Sequence, residues 1–191
     1  MIRQATKKDV SEVSELIYMI LDEKESYFTE NYIKKEVMAF IRHAYAQEIS
    51  FFSYANIIVK EIEGQVVGIA LMYDSKMTDA FCEQWENDVA LFFGEDQDEF
   101  ETSEAQPGEF HLDTIAVVEE FRGQGIAKEL LEKMDQKAYS HGHTKLSLNV
   151  SAKNIAAKRL YERHHYKVEC QFLISGHTYF HMTKLIGKAG H

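Results

Sequence analysis

The stretch LDTIAVVEEFRGQGIAKELL, residues 112–131, passes from β-branched apolar residues through an arginine and two glycines into residues that favour a helix. A strand that runs into such a loop and then a helix exposes the unpaired N–H groups of the first helical turn, where the macrodipole also favours negative charge. Gly123 and Gly125 let the backbone approach a pyrophosphate closely and adopt positive φ, and Arg122 can add a charge-assisted bond. The same residues also fit a tight turn with a surface salt bridge, so the loop alone leaves both readings open. Two other nucleotide loops do not fit. The Rossmann fingerprint needs a third glycine where Lys128 stands, and a P-loop needs Gly-Lys followed by Ser or Thr.

Outward from this stretch, IRQAT (2–6) reads as a first strand, and Thr6 with Asp9 resembles a capping pair for a helix carrying Val10, Val13, Ile17 and Ile20 on one face. Residues 31–47 put Ile33, Val37, Phe40, Ile41 and Tyr45 on one face of a second helix. Residues 56–74 read as a hairpin that turns at Glu63 and Gly64. EFHLDTIAVVEE (109–120) is the next strand, and a helix over Ile126 to Ser140 buries Leu130, Leu131 and Met134. TKLSLNV (144–150) is a strand, 151–165 a helix, and a closing hairpin turns around Ser175 and Gly176. The order β-α-α-β-β-β-α-β-α-β-β predicts an α/β fold in one domain, residues 1–191.

Composition narrows the function. The chain is 45% hydrophobic and 12% aromatic, enough apolar surface for one core. Cys82 and Cys170 lie far apart in no metal-binding spacing, the histidines form no recognisable ligand set, and no metal is expected. The N-terminal residues hold no apolar signal region and no run spans a bilayer, so a cytoplasmic location is expected. A net charge of −10 argues against nucleic acid or anionic membrane as partners. That charge is local: Asp74 to Glu104 hold eleven acids against the single base Lys76, which is −10 by itself. Residues 74–108 therefore read as an acidic inserted lobe, partly helical. It would either attract a cationic substrate or form a solvated surface, and its Phe81, Trp85, Phe92 and Phe93 need burial on the domain, a homodimer partner or a ligand cation.

The stretch LDTIAVVEEFRGQGIAKELL followed by NIAAKRLYERHHY (154–166) resembles the GNAT superfamily of acyl-CoA-dependent N-acetyltransferases. Arg122, Gly125 and Ala127 match its Arg/Gln-x-x-Gly-x-Gly/Ala loop, and Asn154, Ala157, Leu160 and Tyr161 match its Asn-x-x-Ala-x-x-Leu-Tyr motif. Two positions depart: Glu119 and Glu120 stand where a proline is usual, and His165 where a glycine is common. The resemblance implies a GNAT-like mixed, mostly antiparallel twisted sheet of about seven strands flanked by about four helices, with the acidic insertion before the central strand. It implies acetyl-CoA as co-substrate, its pyrophosphate held by the backbone of Arg122, Gly123, Gln124, Gly125, Ile126 and Ala127. Its pantetheine would pair with Ile115, Ala116 and Val117 where the strand splays from its neighbour, and would meet Asn154. Tyr161 matches the family's general acid, and Tyr27, Phe28 and Tyr32 are candidate walls of the acceptor pocket.

An alkylamine is mostly protonated at neutral pH, its pKa being about 10.4, so acyl transfer needs a base. Glu109, His111 and Asp113 sit at i, i+2 and i+4, and an unbroken strand would point all three to one face. His111 would take the proton directly or through water, Asp113 would do so or orient it, and Glu109 would bind the amine; a solvated strand face is the plainer alternative. The activity expected is direct acetyl transfer to a primary amine of a small molecule or peptide. A non-catalytic acyl-CoA sensor or partner-binding module is the alternative.

Overall fold

The computed structural model describes residues 1–24, 26–94, 105–174 and 176–187. Seven strands form one sheet: β1 (Ile2–Gln4), β2 (Ile57–Ile62), β3 (Gln65–Asp74), β4 (Phe110–Val117), β5 (Lys145–Ser151), β6 (Lys167–Ile174) and β7 (His177–Leu185). Their spatial order is β1-β2-β3-β4-β5-β7-β6, and every neighbouring pair is antiparallel except β4 and β5. That parallel pair is joined by a helical crossover, the connection such a pair requires.

The described residues form six α-helices where four were expected: α1 (Val10–Glu23), α2 (Tyr27–Asn31), α3 (Lys34–Ala46), α4 (Thr78–Phe93), α5 (Ile126–Ser140) and α6 (Ile155–Arg163). The additional two are short α2 and α4, which makes up the first half of the acidic lobe. The lobe's aromatic residues pack on the domain itself. Trp85 meets Phe40 at 5.0 Å and Phe52 at 5.3 Å between ring centroids, and Phe93 meets Tyr32 at 4.3 Å. Asp88 is buried and pins α4 to α3, accepting from the side-chain amide of Gln47 at 3.1 Å with His43 Nε2 at the same distance. Six of the lobe's eleven acids, at 95–104, lie outside the described residues, as do Glu25 and the turn residue Ser175.

Local sequence chemistry accounts for the element starts. Thr6 and Asp9 form the expected capping box, and Arg3 clamps the Asp9 carboxylate at 2.8 Å. Glu63 and Gly64, at φ 50° and 83°, turn the β2–β3 hairpin. On α3, Val37, Phe40, Ile41 and Tyr45 are completely buried as expected, but Ile33 lies before the first turn and is 64% exposed.

The sheet separates two apolar layers. Val13, Ile17, Phe40, Ile69, Leu71 and Tyr73 meet on the side of α1, α3 and α4, whereas Met72, Leu112, Leu130, Met134, Leu148 and Tyr161 meet on the side of α5 and α6. Gly68 lets α5 sit close on β3: a methyl group there would lie 3.1 Å from Ile126 Cγ2 and 3.2 Å from the Ala116 carbonyl oxygen. No described helix is long and apolar enough to cross a membrane.

Candidate active site

β4 and β5 pair only at Phe110–Leu146, His111–Ser147 and Leu112–Leu148. Beyond Leu112, β4 continues along β3 while β5 continues along β7, so the two strands part in the middle of the sheet. Ile115, Ala116 and Val117 line one lip of this opening and Asn149 begins the other, their backbone groups unclaimed by a β4–β5 ladder among the described residues. Both strands are held in place from outside, so the gap is built in.

Where β4 ends, the chain makes one 3-10 turn and enters α5 through Gly123 (φ 75°) and Gly125 (φ 85°). Gly125 is the N-cap of α5, and no side chain caps this end. The N–H groups of the first turn are therefore left for an outside acceptor, at the positive end of a 15-residue helix. Ile126 is buried while Arg122 to Gly125 are exposed. Gln124 donates to the Glu120 carbonyl at 3.3 Å. The Arg122 side chain turns away from the loop: Nε donates to the Val117 carbonyl at 3.0 Å and Nη2 meets Glu23 at 3.2 Å. A recess of about 470 Å³ lies beside it, lined by Glu12, Glu15, Met19, Val66, Glu119 and Glu120. Four carboxylates make it electrostatically unsuitable for a phosphate, which the α5 N-terminus and the opening suit better.

The carboxyl-terminal motif forms α6, which packs in the same apolar layer as α5. Asn154 is its N-cap, the side-chain oxygen accepting from the Ala157 N–H at 3.0 Å. Tyr161 is buried in the α5–α6 layer, and burial pushes its phenol, already protonated at neutral pH, up to about 12. His165 ends the helix at φ 69°, the left-handed conformation for which glycine is usual.

The expected alignment of Glu109, His111 and Asp113 is corrected by a bulge. Tyr73 lies opposite His111 and Met72 opposite Leu112, but Leu71 lies opposite Thr114, so Asp113 is the extra residue. Alternation restarts one residue later, and His111 shares its face with Thr114 and Ala116 instead of Asp113. Asp113 accepts from the Thr114 hydroxyl at 2.7 Å. His111 is fully buried, 5.5 Å from the Tyr73 ring, so the picture of a solvated strand face fails as well.

Glu109 precedes β4 and is not open to an amine. It is fully buried, accepts from the Gln106 N–H at 2.9 Å, and lies 3.1 Å from both His181 Nε2 and Lys145 Nζ. Burial by itself would raise its pKa, but hydrogen bonds from Ser147, Gln106, His181 and Lys145 outweigh that and hold the carboxyl at about 2. Ligand atoms of Glu109, Glu169 and His181 come within 4.8 Å of one another, yet the Lys145 ammonium already lies 2.9 Å from Glu169 and supplies the positive charge there. Of the proposed pocket walls, Phe28 belongs to the core at 4% exposure, stacked on Phe40, while Tyr27 is 38% exposed and Tyr32 packs on Phe93. Sequence reasoning passed over Lys145, Ser147, Asn149 and His181. The signal for the first three was the polar alternation of KLSLNVS, which marks a second polar strand face beside β4, whereas His181 is brought there by the pairing of β7 with β5.

Residues 17–166 match the model of the Acetyltransferase (GNAT) family, most of the chain. The chain belongs to the GNAT family of acetyltransferases. A solved acetyltransferase structure superposes with a TM-score of 0.84 at 33% identity, covering 98% of this chain and 100% of its own. An N-acetyltransferase from Staphylococcus aureus Mu50 superposes at 0.78 with 27% identity over 96% of this chain and all of its own. The uncharacterized N-acetyltransferase YycN of Bacillus subtilis (strain 168) is 51% identical over 49 residues, which are 26% of this chain and 31% of that protein. This GNAT chain thus has the seven-stranded, mostly antiparallel open sheet of its relatives.

Proposed function

We propose that this GNAT chain transfers the acetyl group of acetyl-CoA directly to a primary amine. The observation that carries the proposal is the parting of β4 from β5 immediately before the uncapped N-terminus of α5. The N–H groups from Gly123 to Ala127 would take the pyrophosphate, and Ile115 to Val117 would pair with the pantetheine amides as an added strand does. Arg122 would join them by leaving Glu23, an exposed ion pair worth only about 0–1 kcal/mol. Asn154 faces this arm from the start of α6, with its oxygen committed to the helix.

The amine nitrogen attacks the thioester carbon, the C–S bond breaks, and the amine's proton goes to a base on β4. Glu109 is held ionised by its own partners and is excluded. His111 takes the proton through a water, since its ring is buried, and Asp113 on the bulge orients the amine. Tyr161 donates a hydrogen bond to the leaving sulfur. Burial raises the Tyr161 phenol to about 12, so the hydroxyl remains a hydrogen-bond donor as negative charge gathers on the sulfur.

The test is release of the CoA thiol from acetyl-CoA across polyamines, aminoglycosides, amino acids and basic peptides, at low and high salt. A cationic acceptor whose KM rises with salt supports capture by the acidic lobe. Tight acetyl-CoA binding without release from any amine would overturn the transferase reading.

A further inference from the structure

Ser147 Oγ lies 2.8 Å from His111 Nδ1, and both side chains are fully buried. The same hydroxyl hydrogen-bonds the Glu109 carboxylate. Glu109 is turned on by the Lys145 ammonium, the His181 ring and a backbone N–H, a set of donors that a charged carboxylate answers and a protonated one does not. It therefore accepts only. A serine hydroxyl has one proton, and it goes to Glu109. The oxygen of Ser147 is then left to accept from His111, so the neutral ring donates from Nδ1 and carries its lone pair on Nε2.

We propose that Ser147, backed by Glu109, is a positioning residue that locks His111 in the Nδ1–H tautomer and so makes Nε2 the basic nitrogen. The arrangement follows the logic of a carboxylate that orients a histidine, with a hydroxyl inserted between them. It draws on three strands: His111 comes from the start of β4, with Glu109 immediately before it, Ser147 from β5 and His181 from β7, and His181 Nδ1 in turn lies 2.7 Å from Asn149 Oδ1 at the far lip of the opening. The inference rests on His111 as the proton acceptor of the proposed reaction, and its tautomer can be read without any turnover.

The experiment is a long-range ¹H–¹⁵N correlation spectrum of the histidine rings of the full chain, in the wild type, Ser147→Ala, Ser147→Thr and Glu109→Gln. Loss of one signal set in His111→Ala assigns it. The expected result is an Nδ1–H ring for His111 in the wild type, a shift toward the Nε2–H form in Ser147→Ala, and recovery in Ser147→Thr. Steady-state kinetics with the fastest amine of the panel should show kcat falling about ten-fold or more in Ser147→Ala while the KM for acetyl-CoA stays within about two-fold. An Nε2–H ring in the wild type, or an unchanged ring in Ser147→Ala, overturns the inference. A wild-type rate in His111→Ala together with the expected tautomers would instead overturn the assignment of His111 as base, leaving the Ser147 relay a structural device without a catalytic role. Glu109→Gln, which keeps shape and removes charge, should follow Ser147→Ala; a Glu109→Gln ring identical to the wild type would remove Glu109 from the relay.

Discussion

At the scale of single residues, environment decides what each group does. Glu109 and Asp113 are both carboxylates four positions apart, yet one is sealed among four donors and the other sits on a bulge beside the opening. Burial raises the Tyr161 phenol to about 12, and its hydroxyl is the only difference from phenylalanine. Tyr161→Phe should keep the packing of the α5–α6 layer and lower kcat by about 10²-fold, with the KM for acetyl-CoA within about two-fold. Stopped-flow or steady-state thiol release checks this, and an unchanged kcat removes Tyr161 from the reaction. Residue identity alone located Tyr161 and Arg122 through their motifs. It did not reveal that the Arg122 guanidinium points at Glu23, because side-chain direction depends on α1, a hundred residues earlier.

At the scale of elements, the site is a relation between β4, β5 and the start of α5. Gly68 sets the distance from α5 to β3, since a methyl there would press on both Ile126 and the backbone carbonyl of Ala116. A side chain can shift but the β4 backbone cannot easily do so. Gly68→Ala should therefore destabilise the fold by roughly 1–3 kcal/mol, read as a lowered urea midpoint. If it also displaces the α5 N-terminus from β4, its KM for acetyl-CoA rises while Tyr161-dependent kcat persists. The strands and helices themselves were legible: the alternation of KLSLNVS and the spacing of Leu130, Leu131 and Met134 are local patterns. The helix in the acidic lobe was legible only in part, because the acids on α4 mask its inward row of Phe81, Trp85 and Val89.

At the scale of the whole molecule, two depressed carboxyls tie distant parts of the chain together. Asp9, clamped by Arg3, is held near 2 against an ordinary 3.8, and Glu109 near 2 against 4.5. Both pKa values are lower folded than unfolded, so the unfolded chain binds more protons as acid is added. Their stabilisation is present in full above about pH 5 and is lost as the pH falls through the folded values near 2. Urea midpoints measured from pH 7 downward should stay level to about 5 and then fall steeply, and Glu109→Gln should make that fall shallower. A fall equally steep in Glu109→Gln would mean that this carboxyl is not ionised in the folded chain. The sequence by itself determined the elements, the glycine loop and the two family motifs, because periodicity, capping and positive φ act over a few neighbouring residues. Only the tertiary structure decided which β4 side chains share a face, that Glu109 and Phe28 are buried, and that Ser147 stands between Glu109 and His111. Those facts depend on strand register, and the register of β4 is set by β3 and β5, from which it is separated by the lobe on one side and α5 on the other.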